Sequence, residues 1–384
     1  MKSQFNITII GAGITGLMFA ALLTRGQHAA SLNIKLIDAA SRPTFFLANE
    51  VSLRVSAIAN GSAEILNSVG AWSLIKQERV SPYQAMRVWD ENDNPDGAAA
   101  LCFDAAEFAV PQLGYIVENA LIQDALLRIL DDSNVTLSFD TKITAMPEAD
   151  LVVGSDGARS LIRELANIKT NKWPYHQTAV VTHLKSEYKH KGVARQRFLH
   201  DGPLGMLPLA DDRVSIVWST NPDEALRVME LSDDEFGQIL TDASDGVLGR
   251  LTVAGPKGVF PLCAQHAENY VKTGIALIGD AAHAIHPLAG QGANLGLQDA
   301  AELADVIDTA ISNGLHPGDR PVLRRYERAR KGPNLTMLHL MTGLNRLFTS
   351  DSGLMGKIRM TGMRIFNRSG PVRKHAVKVA LGVQ

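Results

Sequence analysis

An α/β fold is predicted by three features of the 384-residue sequence. A continuous β-branched run, Asn6–Ile10, leads through a glycine turn into an apolar helical stretch, Ile14–Arg25, and a second strand, Ile34–Asp38, as buried parallel strands require. Between about Lys172 and Arg227 the pattern switches to period-two alternation divided by Gly, Pro and Asp turns, the mark of an antiparallel sheet. After Arg320 the chain reads as helix, with polar breaks near Ser350–Gly353 and Ser369–Pro371. The predicted architecture is a Rossmann-like domain with an interleaved antiparallel β-sheet domain and a helical C-terminal region. Residues 1–171 and 263–319 would form the first, 172–262 mainly the second, and 320–384 the third.

In chain order, helical patterning recurs at Gly61–Gly70 and Ala120–Leu130, and a second buried strand, Ala149–Val153, ends in GSDG. The alternating strands are Thr178–Leu184, Ala194–Leu199, Gly205–Pro208 and Arg213–Trp218. A further apolar strand, Ile275–Ile278, leads into a Gly/Pro turn and a long helix. Phe5–Thr24 is uncharged and follows Lys2, like a signal peptide or anchor, but its spaced glycines and strand-length apolar run argue against that.

With 46% apolar and 20% charged residues the chain is an ordinary globular protein. Two cysteines, Cys102 and Cys263, cannot build a disulfide framework, and no metal-ligand spacing is present; a reducing cytoplasm is expected. A net charge of −2 argues against nucleic-acid binding. The charge is uneven, because from Arg320 onward there are 14 Lys and Arg against two acids, Glu327 and Asp351.

Three turns carry the chemistry. In GAGITG, Gly11 permits a tight turn, Gly13 lets a pyrophosphate approach the backbone, and Gly16 lets helix pack on strand. The helix N-terminus offers free amides and a positive dipole to phosphate, and Asp38 stands where an acid would accept from an adenosine ribose. The second turn is GSDGARSLIR, Gly154–Arg163; an isolated Asp-Gly pair is usually only a turn. The third is GDAAHAIHP, Gly279–Pro287, running into AGQGANLG, where Asp280 could accept from ribityl hydroxyls or merely cap a helix.

Together these turns resemble the flavoprotein aromatic hydroxylases of the p-hydroxybenzoate hydroxylase class. Within it, LRVSAIANGSAEILNSVGAW (Leu53–Trp72), GYIVENALIQDAL (Gly114–Leu126), GDAAHAIHPLAGQGANLGLQDAAEL (Gly279–Leu303), FPL (Phe260–Leu262) and RRYERARK (Arg324–Lys331) resemble the ubiquinone-biosynthesis hydroxylases over essentially the whole chain. One departure is that only DTKITAMPEA separates the strand near Val135–Phe139 from the one bearing the DG motif, where most relatives place a small β-meander covering the adenine end.

The resemblance implies that residues 1–171 and 263–319 bind FAD. Gly11, Gly13 and Gly16 would hold the pyrophosphate and Asp38 the ribose. Arg54 would lie near the pyrophosphate or flavin, unless it is a surface ion-pair partner. Asn119 would contact the ribityl chain or phosphates, Asp156 would brace the pyrophosphate region, and Asp280 would bind ribityl hydroxyls. The backbone from Leu288 through Gly290, Gly292 and Ala293 to Asn294 would line the flavin's pyrimidine edge and stabilise negative charge on it. His283 is expected to order its turn, whereas His286 beside Pro287 would lie by the reactive face as a proton-handling or substrate-contact residue.

The implied activity is an FAD-dependent monooxygenase. NAD(P)H would act as a transient electron donor, and O2 would give a flavin C4a-hydroperoxide that hydroxylates the ring of a polyprenylated phenolic precursor in ubiquinone biosynthesis. An apolar pocket would be needed, with Phe198, Met206, Leu207, Leu209, Val217 and Phe260–Leu262 as candidate walls, each also an ordinary core residue. A reductase or halogenase on the same fold, or a non-catalytic FAD-containing assembly protein, are the alternatives; the WxWxIP segment of halogenases is not evident. The basic tail would be either a docked helical cap or a surface for a membrane or other quinone-biosynthesis proteins, which would place a cytoplasmic protein at the inner face of the membrane.

Overall fold

The structure is a computed structural model that describes residues 4–45, 51–285, 291–348, 353–370, 373–374 and 377–378, with backbone alone for residues 291 and 353–360. Three sheets organise it. The first, numbering strands in chain order, runs β16 (Val271–Lys272), β17 (Ile275–Leu277), β9 (Leu151–Gly154), β1 (Phe5–Ile10), β2 (Leu32–Ile37), β8 (Thr136–Ser138). All its pairings are parallel except β16 with β17. The central strands are buried on both faces, which is why they read as unbroken apolar runs. No strand interrupts residues 139–150 between β8 and β9, so the shortened segment is a plain connection.

The second sheet runs β18 (His283–Ala284), β15 (Gly258–Ala267), β10 (Thr170–Ser186), β13 (Val214–Thr220), β12 (Gly202–Pro208), β11 (Val193–Leu199), β5 (Ala85–Asp90), β6 (Leu101–Asp104), with β14 (Leu251–Val253) paired to β10 off this path. Thus β5 and β6, from within the first 171 residues, belong to this sheet, and β15 carries it past residue 262. The sequence lacks any signal for this because β5 joins by a parallel pairing with β11, far along the chain. The third sheet is β3 (Val55–Ala59), β7 (Gly114–Glu118), β4 (Ser81–Tyr83).

The helices are α1 (Ile14–Arg25), α2 (Asn60–Ser68), α3 (Ala71–Lys76), α4 (Asn119–Asp131), α5 (Leu161–Leu165), α6 (Pro222–Met229), α7 (Asp233–Ala243), α8 (Gln291–Ser312), α9 (Arg320–Phe348) and α10 (Gly353–Arg368). The main core joins the parallel sheet to α1, α4 and α8. A second core lies on one face of the large sheet, where Trp89, Val180, Leu204, Met206, Ile216 and Trp218 meet Val228, Phe236 and Leu240 of α6 and α7. The end of α9 covers part of the opposite face, Phe348 stacking on Phe198 with ring centroids 3.7 Å apart. No helix among the described residues is long and apolar enough to cross a membrane.

Candidate active site

The parallel register decides where the predicted turns fall. Ile10 pairs with both Ile37 and Gly154, and Gly154 with Leu277, so β1, β2, β9 and β17 end at one level. The GAGITG turn, Asp38, Ser155–Asp156 and Gly279–Asp280 therefore emerge side by side at the carboxyl edge of the sheet, where open α/β sheets bind ligands.

Each glycine of the first turn has a different reason to be there. Gly11 has φ +108°, and a Cβ on it would lie 2.4 Å from the Ser155 carbonyl oxygen. Gly16 packs so closely that a Cβ would meet the Gly11 oxygen. A Cβ on Gly13, by contrast, would meet nothing within 4 Å, and no side chain caps α1 behind it. Open space in front of an uncapped helix N-terminus is a cradle for phosphate.

Asp38 holds this turn: its carboxylate accepts from the backbone N–H of Ala12 at 2.5 Å and of Ala40 at 2.7 Å. Gln123 of α4 donates to the Ala12 carbonyl at 3.0 Å, a contact that sequence reasoning missed. Asn119 opens α4 and accepts from Ser56 Oγ at 2.7 Å, tying α4 to β3. Asp156 accepts from the N–H groups of Leu161 and Ile162 at the start of α5, while its Oδ1 is buried without a protein partner. Asn294 is buried and spends its amide on β3, donating to Ala57 O at 2.8 Å and accepting from Ala59 N at 2.9 Å. Its backbone, with half-buried Ala293 and a Gly292 whose Cβ would meet nothing, opens α8.

The first and third turns meet at Thr15, whose Oγ1 lies 2.9 Å from a Cβ placed on Gly279 and 2.3 Å from one placed on Gly296. Asp280 next to it presents its side chain to solvent, yet protein surrounds the carboxyl on its other sides. That partial desolvation raises its pKa, with the charges of His283 and Arg54 pulling the other way. A recessed, accessible carboxylate of this kind suits hydroxyl ligands. Arg54 is exposed just before β3, near enough to act on Asp280 through space. His283 is buried and bonded to Asp299 Oδ2 at 2.5 Å. His286, Pro287, Leu288 and Gly290 lie outside the described residues.

The large sheet, joined to the third turn through β18, offers a candidate floor. Register places Gly258, Val181, Val217, Gly205, Gln196 and Val88 in one row across six strands, on the face opposite the α6–α7 core. A Cβ on Gly205 would meet only the Val217 oxygen, at 3.7 Å, so there is room above that spot. Leu207, Phe260 and Leu262 share this face, Phe260 being 38% exposed. Met206 does not: it points into the α6–α7 core, and period-two alternation makes it and Leu207 exclusive choices. Phe198 is covered by Phe348, and Leu209 packs with Val51, Ala57 and Ile116.

The open Gly13 cradle, the partnerless Asp156 oxygen and the recessed Asp280 fit a dinucleotide that spans the first and third turns. Comparison with known proteins agrees. A family profile described as FAD binding domain matches residues 4–332. The chain is 33% identical to the 3-demethoxyubiquinol 3-hydroxylase of Escherichia coli (strain K12), covering 98% of both chains. It is also 33% identical to the ubiquinone hydroxylase UbiL of Rhodospirillum rubrum, over 98% of this chain and 89% of that one. Among solved structures, PqsL, a probable FAD-dependent monooxygenase from Pseudomonas aeruginosa, superposes with a TM-score of 0.75 at 20% identity, covering 94% of this chain and 99% of that one.

Proposed function

This chain belongs to the FAD-binding family that contains the ubiquinone-biosynthesis hydroxylases, and from that membership we propose that it hydroxylates the aromatic ring of a polyprenylated phenolic precursor of ubiquinone. The observations that carry this reading are the cofactor turns ending together at the carboxyl edge of the parallel sheet, and the passage of the third turn into β18 at the edge of the large sheet, whose apolar face has room above Gly205. FAD, reduced by NAD(P)H and reoxidised by O2, supplies the oxygen chemistry when bound.

The chain's own residues do the rest. Gly13 and the N-terminus of α1 would receive the pyrophosphate, whose charge the helix dipole favours. Asp280 would accept from ribityl hydroxyls and so fix the depth of the ring system. The start of α8 at Gly292, Ala293 and Asn294 would bring backbone amides to the flavin edge, with Asn294 locking α8 to β3. Val181, Val217, Leu207, Phe260 and Leu262 would exclude water, so that oxygen goes to the ring rather than leaving as peroxide. His286 beside Pro287 is proposed to touch substrate or hold a proton there.

A peripheral contact with anionic lipid is proposed for α10, where Arg364, Ile365 and Arg368 are exposed together. Arg373 is excluded from that surface, because its guanidinium binds Glu107 and the Cys102 carbonyl and lies over Phe103. Expressing the chain in strains that each lack one ring-hydroxylation step, and identifying quinone intermediates by mass, tests the reading. Restored ring hydroxylation in at least one strain is expected; an accumulated precursor in every strain rules it out.

A further inference from the structure

Helix α8 carries an acid on its apolar stripe. Asp299 lies one turn from both Leu295 and Leu303, all three buried, and Asp299 fully so. An isolated carboxylate there would be strongly disfavoured, so its partners define what it does. Oδ2 accepts from the Gly279 N–H at 3.1 Å and pairs with His283 Nε2 at 2.5 Å. Oδ1 accepts from Arg330 Nε at 2.8 Å and Asn334 Nδ2 at 3.0 Å, both on α9. Burial would raise the Asp299 pKa, but His283 and Arg330 outweigh it and hold the group at about 2.

Gly279 and His283 bracket Asp280, so one oxygen pins both ends of its turn. The outer carbonyls are held as well: Gln265 Nε2 donates to Asp280 O at 3.1 Å, and Arg163 Nη1 to Ala281 O at 2.8 Å. Around Asp280 the Gly279 N–H and the carbonyls of Gly279, Asp280 and Ala281 are all committed, while the Asp280 carboxyl takes no hydrogen bond among the described residues. A rigid frame around one free acceptor is how a binding group is preorganised.

We propose that Asp299, backed by Arg330 and Asn334, is a positioning residue that presents Asp280 to the ribityl chain, so that α9 sets FAD affinity without touching the cofactor. This rests on the reading that Asp280 contacts FAD. The test uses full-length apoprotein titrated with FAD by flavin fluorescence, with the apoprotein melting temperature measured alongside. Asp299→Asn and Arg330→Gln should each weaken FAD by about tenfold or more, and Arg330→Lys should recover part of that loss. Because Asp299 acts through Asp280, the Asp280→Ala/Asp299→Asn double variant should bind little worse than Asp280→Ala alone.

A purely structural ion pair would lower the melting temperature, leave the Kd within about twofold, and give losses that multiply in the double variant. Either of the last two results overturns the proposal. If Asp280→Ala itself binds FAD normally, the ribityl reading has failed and the proposal falls with it. Should Asp299→Asn yield no folded apoprotein, His283→Gln, which alters only one of the four contacts, is judged by the same criteria.

Discussion

The two turns that meet at Thr15 are held in place by opposite means. The glycine turn is shaped by backbone and by what side chains are missing: Gly11 under Ser155, Gly16 against Gly11, open space at Gly13. Its few side-chain bonds come from Asp38, Gln123 and Ser155. The Asp280 turn is instead caged by side chains, Asp299, His283, Gln265 and Arg163, with α9 behind them. A turn shaped mainly by its backbone owes less to charge states, and the glycines that define it are written in six consecutive residues. A side-chain-built turn depends on charge states and on partners that arrive from far along the chain.

The largest effects should come from the backbone-built turn, in two separable forms. Gly13→Val should abolish FAD binding while leaving the apoprotein melting temperature close to wild type, since the new side chain enters empty space. Unchanged flavin absorbance after purification would show that phosphate does not enter there. Gly11→Ala should do the reverse and damage the fold itself, costing about 3 kcal/mol or more from the clash with Ser155 and the φ of +108°. Urea denaturation of the apoprotein measures it.

The side-chain-built turn should reveal itself through acid, by way of His266 on β15, which pairs in register with His283 of β18. Burial first, then the charges of His283, Lys331 and His339, lower the pKa of His266 from 6.5 to about 4. The unfolded chain then takes up that proton first, so stability is full above about pH 6.5 and falls as pH drops toward 4. The loss should reach roughly 2–3 kcal/mol, with buried His183 and His190, whose pKa values are also lowered, adding in the same direction. Asp299 has the same sign in a separate window, between about pH 4 and 2. Denaturation midpoints across pH 7.5–4.5 should slope, and His266→Gln should flatten the slope; parallel curves would remove His266 from the account.

The smallest effect concerns the tail, where the same contrast recurs between committed and free side chains. Arg364→Gln with Arg368→Gln should weaken sedimentation with anionic vesicles by about 1 kcal/mol per residue at low salt and leave the melting temperature alone. Arg373→Gln should lower the melting temperature, because it removes the Glu107 pair and leaves Phe103 uncovered. The opposite assignment of the two losses would make α10 the anchor and Arg373 the contact.

What could be read in advance follows the same division. The strand–turn–helix from Phe5 to Arg25 is local, so spacing alone located it. The alternating strands were legible, but not their neighbours: β5 reaches the sheet through β11, and no local pattern encodes a pairing across that distance. Which wall residues face the floor depended on register, which separates Leu207 from Met206. Asp299 did leave a trace, as a charge in line with Leu295 and Leu303, but its partners Arg330 and Asn334 sit on another helix.

The insertion of the large sheet into the parallel one has a consequence for the order in which the protein can assemble as it leaves the ribosome. Gly11 has its complete setting once Ser155 and Asp156 have been made. Asp280 acquires its cage only when Asn334 has emerged, about 180 residues later. At about 5–20 residues per second that interval is roughly 10–35 s. Throughout it, a nascent chain has the residues that surround Gly11 and Gly13 but not those that frame Asp280. If Asp280 contacts the cofactor as proposed, full cofactor capture would wait for the last stretch of synthesis, and a chain stopped before α9 would lack the frame behind Asp280.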